Sequence, residues 1–256
     1  MPTSKNESIP FSNKLFAFRA LKQGLRFSRE NWRMWTNYAV VSMDVGELAE
    51  ACRAQSRIVE LRSAKVGEEC VDIDVLERLV DAATRETNAT AEETAHVSAE
   101  DGMRDGVGGP SAPAARNPNE GQGLLPRVCN LLERTILPRV SSPRIFRAYA
   151  RLLTSQSRWD DAIKAYMDAY RSGPAGTFAK GEIDENKWRE ALEDVVDIVD
   201  ILRNFGPRAA GTKWLQQARS IVRTFLGRSR ENFEDDPNWD KLTQLQDELR
   251  KEGEGD

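Results

Sequence analysis

The sequence predicts an all-α fold, a superhelical stack of antiparallel helical hairpins. Three observations carry that expectation. Apolar residues recur at three- and four-residue spacing almost throughout, and strand-like alternation is scarce. Connections such as Asp44–Gly46 and Gln156–Arg158 are too short to do anything but reverse the chain. Finally, a large–x–x–large–small pattern occurs twice in one frame, as Trp35, Tyr38, Ala39 and as Phe146, Tyr149, Ala150. Sixteen residues past each anchor stands a small residue, Ala51 in the first copy and Ala162 in the second.

The elements follow in order. A helix over 14–27 places Ala17, Leu21 and Gly24 where the second helix of a hairpin would need small, large and small residues. The helix over 31–43 carries Trp35, Tyr38 and Ala39; Gly46 marks the turn, and Ala51 lies on the helix over 47–62. VDIDVLERLVDAA predicts the next helix, over 71–87. A helix over 124–138 precedes the second copy, whose first helix (143–155) carries Phe146 and Tyr149. Its second (159–171) opens on Trp159 and carries Ala162, Tyr166 and Ala169. Trp188, Leu192, Val195, Val199 and Leu202 stripe a helix over 184–204. Trp214, Leu215, Ala218, Ile221, Val222 and Phe225 do the same over 208–228, and these two should pair across Gly206–Pro207. A last helix is expected over 237–251.

The stretch from about 88 to 122 differs. It is rich in Ala, Glu, Thr, Gly and Pro and has no aromatic residue. Such a composition buries too little apolar surface to offset ordering entropy, so a disordered insertion is expected. The domain reading is hairpins over 14–87, the insertion over 88–122, a hairpin and helical pair over 123–230, and a terminal helix with a loose tail over 231–256.

Composition excludes several functions. Charged residues make up 30% of the 256, the net charge is -4, and the mean hydropathy is -0.59. A pI near 5.4 argues against nucleic-acid binding by bulk positive charge. No run approaches the roughly 20 apolar residues of a membrane-spanning helix. Cys52, Cys70 and Cys129 match no metal or disulfide spacing and read as inert thiols of a reducing compartment. The sole histidine, His96, reads as a solvated loop residue. Phosphate-loop, nucleophile-elbow and zinc motifs are missing, so no cofactor, metal or catalytic residue is expected.

Small residues that let two helices approach, with aromatics filling the gap between hairpins, make the repeated frame resemble the tetratricopeptide pattern. AFRALKQGLRFSRENWRMWTNYAVVSMDVGELAEACRAQSRIVELR followed by VDIDVLERLVDAA resembles the closing repeats of the tetratricopeptide-repeat domain protein 27 family. That family includes fungal members named for being essential to cell-wall maintenance. NWRMWTNY and DVGELAEA are the most specific blocks; the likeness runs from Phe16 to Ala83 and more weakly from Leu124 to Arg171. Family members are far longer, so the chain is expected to match their C-terminal part only, and 88–122 is not part of the shared pattern. The resemblance implies a non-enzymatic adaptor of cytoplasm or nucleus, tied to chaperone-assisted assembly of large complexes, with other proteins as partners and no catalytic residues.

In such an array the first helix of each hairpin lines the binding groove. The expected groove residues are Arg33, Thr36, Asn37, Val40 and Asp44 in the first copy. In the second they are Arg144, Arg147 and Arg151, an arginine stripe suited to carboxylate or phosphate oxygens. Arg33 and Asn37 resemble part of the carboxylate clamp of chaperone-binding repeats, whose lysine and second asparagine are not evident here. The alternative reading is an α-type subunit of an enzyme complex such as a protein prenyltransferase. That class repeats Asn–x–x–x–Trp at several hairpins, whereas this chain has it once, from Asn31 to Trp35. The helix over 14–27 carries more apolar surface than one neighbour covers, so self-association through it is expected.

Overall fold

The structure, a computed structural model, describes residues 10–62, 68–97, 123–178, 184–211, 213–228 and 236–252. All regular structure among the described residues is helical. The chain divides into two compact units, Met1–Val140 and Ser141–Asp256.

The first unit contains α1 (Phe11–Phe27), α2 (Trp32–Asp44), α3 (Leu48–Leu61), α4 (Ile73–Val97) and α5 (Leu124–Asn130). The last runs on into a π-helical turn, Leu131–Ile136. Asn31 caps α2 by accepting the Met34 amide at 3.2 Å, which satisfies one of the donors a helix start leaves open. Ala39 and Ala51 are fully buried, and their small size sets the close packing of α2 on α3. Tyr38, 1% exposed, stacks on Phe18 of α1 with ring centroids 5.3 Å apart. The carboxylate of Asp44, at the end of α2, takes Lys14 of α1 at 3.2 Å and Arg78 of α4 at 2.9 Å, joining three helices at one point. The hydrogen bond from Arg78 holds that carboxyl below its usual range.

The second unit contains α6 (Pro143–Ser155), α7 (Trp159–Ser172), a single turn α8 (Pro174–Thr177), α9 (Glu185–Phe205), α10 (Trp214–Leu226) and α11 (Pro237–Glu252). One core runs through it. Ala150 and Leu153 of α6 and Ala162, Ile163 and Tyr166 of α7 join the buried stripes of α9 and α10, with Leu242, Leu245 and Leu249 of α11 closing it. Trp188 is 1% exposed, whereas Trp159, Trp214 and Trp239 lie at the margin of this core.

The repeat is visible in the backbone as well as in the side chains. Gly46 (φ 84°) and Ser157 (φ 57°), each eleven residues past its anchor, both adopt the left-handed conformation. The hydrogen bonds around them match one for one. Glu47 N–H donates to the Ser42 carbonyl and Gly46 N–H to Met43; Arg158 N–H donates to Leu153 and Ser157 N–H to Thr154. Each hairpin therefore closes with a Schellman turn, which gives the last carbonyls of its first helix partners before the second helix begins.

The structure departs from the sequence-based expectations in three places. Helix α4 continues to Val97, so part of 88–122, with His96, is helical; Ala and Glu propagate a helix already nucleated by α4's buried first turns without further apolar residues. Residues 98–122, the rest of the expected insertion, lie outside the described residues, as does the tail beyond 252. The helix expected over 208–228 is confined to Trp214–Leu226, preceded by a 3-10 turn at Gly206–Arg208, because Pro207 and the Gly211 region interrupt it. Trp35, Phe146 and Tyr149, whose rings the repeated pattern assigns to the gap between hairpins, are only half-buried. Trp35 keeps a polar edge outward, its indole N–H donating to the Arg29 carbonyl at 2.8 Å.

Candidate protein-binding faces

In the first unit the candidate face belongs to α2. Arg33, Asn37 and Val40 are three and four residues apart, hence on one side of the helix, and all three are exposed. Among the described residues Val40 is one of four large apolar side chains left in solvent, at 36%. Thr36 is half-buried and turns its hydroxyl back to the Trp32 carbonyl at 3.1 Å. Asp44 closes the row but is already engaged by Lys14 and Arg78, so it serves packing. The Trp32 ring is covered by two guanidinium groups, Arg62 at 4.2 Å and Arg33 at 5.3 Å from its centroid. This holds the Arg33 guanidinium against the ring while the side chain stays exposed.

In the second unit the candidate face belongs to α6, where Arg144 and Arg151 are exposed at either end of the arginine row. Arg147 between them is 43% exposed and binds the carboxylate of Asp194 on α9. Asp194 is 5% exposed, and its other oxygen accepts the backbone N–H of Ala175 at 3.2 Å. Burial raises the Asp194 carboxyl above its ordinary value, against the pull of the Ala175 N–H and the Arg147 charge. Arg147 thus spends part of its donor capacity on its own fold. The two arginine-bearing faces lie in different units: Arg33 with Asn37 in one, and Arg144, Arg147 and Arg151 in the other.

Sequence reasoning missed Asp194, although its position was informative. It stands three residues past Ala191 and four before Ile198, on the apolar stripe of α9, where a charged residue needs a buried partner. None of the three cysteines is in a disulfide: Cys52 and Cys70 are buried, with the Cys70 thiol donating to the Arg62 carbonyl at 3.4 Å, and Cys129 is half-buried. Burial pushes the Cys52 thiol up to about 12. Among the described residues no group of His, Cys, Asp and Glu could hold a metal ion, and no helix is long and apolar enough to cross a membrane.

No protein-family model matches the chain. The chain is similar to the TPR repeat-containing protein of Schizosaccharomyces pombe, 25% identical over 236 residues that cover 88% of the chain. It is also similar to the Saccharomyces cerevisiae protein named Essential for maintenance of the cell wall protein 1, 22% identical over 242 residues and 91% of the chain. The chain spans only 24% of the length of either relative. The chain is thus similar, over about nine tenths of its length, to a fungal protein named for its TPR repeats and to one named for maintenance of the cell wall, in agreement with the resemblance carried by NWRMWTNY and DVGELAEA.

Proposed function

We propose that the chain is a non-enzymatic, protein-binding scaffold whose partner lies against the first helix of its hairpins. The observation that carries this reading is the row Arg33, Asn37 and Val40 on α2, exposed on a helix whose other sides pack against α1, α3 and α4. Two donors that favour carboxylate or amide groups beside one apolar contact suit an extended segment of another protein. Arg144 and Arg151 offer a second acid-binding row on α6.

The finer proposal is an adaptor in chaperone-linked assembly of a large complex, in cytoplasm or nucleus. It rests on the likeness to a TPR repeat-containing protein and to a protein named for maintenance of the cell wall. Affinity purification of the full chain from its host, followed by mass spectrometry, tests both levels. A partner retained by the wild type and lost from Arg33→Glu/Asn37→Ala or from Arg144→Glu/Arg151→Glu, with helical content unchanged, supports the scaffold. Assembly factors or chaperones among the retained proteins support the finer reading. Partner retention by both variants removes these faces from consideration.

A further inference from the structure

Helix α1 carries charge of one sign only. Phe11–Phe27 holds Lys14, Arg19, Lys22 and Arg26 and no aspartate or glutamate, in a protein whose net charge is -4. These four cations divide by direction. Lys14 and Lys22 turn toward the rest of the unit, where Asp44 takes one at 3.2 Å and Glu50 takes the other at 3.0 Å. Arg19 and Arg26 are exposed, and among the described residues neither has an ion pair or a side-chain hydrogen bond. Two helical turns separate them, so they lie along one side of α1.

The outward face beside them is apolar. Phe16 and Phe27 are 76% and 92% exposed, with Ala20 and Gln23 between them on the same strip. The two phenylalanine positions stand roughly 16 Å apart along the axis at 1.5 Å per residue, and Ala20 leaves a low point between the rings. Going round the helix, Arg19 and Arg26 border the strip on one side, and the uncharged Asn13 and Ala17 border it on the other.

An apolar strip with cations along one border has the form of a helix-pairing seam, in which flanking charges choose the partner and its orientation. A lipid surface would be met by basic residues on both borders, since both reach the headgroups. A second copy of the chain brings no carboxylate on its own α1, so self-contact through the strip leaves the two arginines unmet and is the weaker pairing.

We infer that the outward face of α1 docks an amphipathic helix of a partner protein, one whose apolar seam is bordered by carboxylates two turns apart. Arg19 and Arg26 would each present a guanidinium fork to one carboxylate, while Phe16 and Phe27 anchor the seam. This face is separate from the row on α2, and the two stand or fall independently.

The test uses the full chain and two synthetic amphipathic helices with an identical leucine seam, bordered by glutamate in one and by glutamine in the other. In calorimetric titration at physiological salt the glutamate helix should bind about tenfold tighter or more. Arg19→Gln/Arg26→Gln, at two exposed and unpaired positions, should erase that preference and leave a weak common affinity, while Arg19→Lys/Arg26→Lys keeps part of it. Phe16→Ser/Phe27→Ser should abolish binding of both helices, and Arg33→Gln should change neither. Equal binding of the two helices by the wild type overturns the inference, as does a preference that survives Arg19→Gln/Arg26→Gln. In sedimentation velocity the glutamate helix should also disperse self-associated chain; an oligomer that persists at saturating peptide overturns the inference in favour of a second copy. Stronger retention on vesicles of phosphatidylserine and phosphatidylcholine than on the immobilised glutamate helix overturns it in favour of a membrane surface.

Discussion

Arg147 and Asp194 are the pair that fixes the first helix of the second hairpin to the stripe of α9, and one of the two is nearly out of water. Because burial lifts the Asp194 carboxyl above its ordinary value, the folded chain binds its proton more readily than the unfolded chain. The contribution of this group to stability therefore falls as pH rises from the unfolded carboxylate value through the folded one. Arg147→Ala removes one of the influences that oppose the shift and leaves a buried charge poorly compensated. The expected loss at pH 7 is about 1–3 kcal/mol, less than for a fully buried pair because Arg147 is half in solvent. Protonation relieves that charge, so urea denaturation should show a smaller deficit at pH 5 than at pH 7; an equal or larger deficit at pH 5 contradicts this account.

The matched turns predict opposite outcomes at equivalent positions. Gly46 has nothing within 4 Å of an added Cβ, yet its φ of 84° disfavours any L side chain, so Gly46→Ala should destabilise by about 1 kcal/mol. Ser157 already bears that strain at φ 57°, so Ser157→Gly should stabilise by roughly 0.5–1 kcal/mol. Thermal melts of the two single variants should move in opposite directions. Shifts of the same sign would mean that the two turns are not the same motif.

Ala162 is fully buried where α7 packs on α6. Ala162→Trp should cost about 1–3 kcal/mol or more by overpacking, seen as a lowered melting temperature. Gly206 is under tighter constraint still, because an added Cβ would run into the Trp214 side chain. Gly206→Ala should therefore destabilise also, although both residues are small.

Phe16 and Phe27 are 76% and 92% exposed, and they fall on one face of α1 because eleven residues make three helical turns. Ala20 and Gln23, between them on that face, are exposed as well. The isolated chain should self-associate at micromolar concentration in sedimentation velocity, and Phe16→Glu/Phe27→Glu should return it to monomer. A monomeric wild type over that range rules out the apolar face as a self-contact.

Helices announced by spaced apolar residues could be read from the sequence, and so could the burial of Tyr38, Ala51, Ala162 and Tyr166, because only one helical phase puts all of them inward. The single turn α8 could not, since Pro174–Thr177 has no period of its own and is held by Asp194 through the Ala175 N–H. The extension of α4 to Val97 was hidden for the opposite reason: backbone propensity continues a helix where no stripe marks it. On α2 the groove row followed from spacing alone. The pairing of Arg147 with Asp194 did not, because α6 and α9 are brought together only by tertiary packing, and the π turn at Leu131–Ile136 leaves no sequence signature that spacing can reveal.

The placement of tryptophan makes each unit optically distinct. Trp32 and Trp35 report on the first unit, while Trp159, Trp188, Trp214 and Trp239 report on the second, with Trp188 sealed from solvent. A chain with Trp32→Phe and Trp35→Phe would emit from the second unit alone, whereas its circular dichroism would still sum both. Unfolding curves that coincide by the two probes would make the chain one cooperative body; curves that separate would resolve two folding transitions within a single polypeptide.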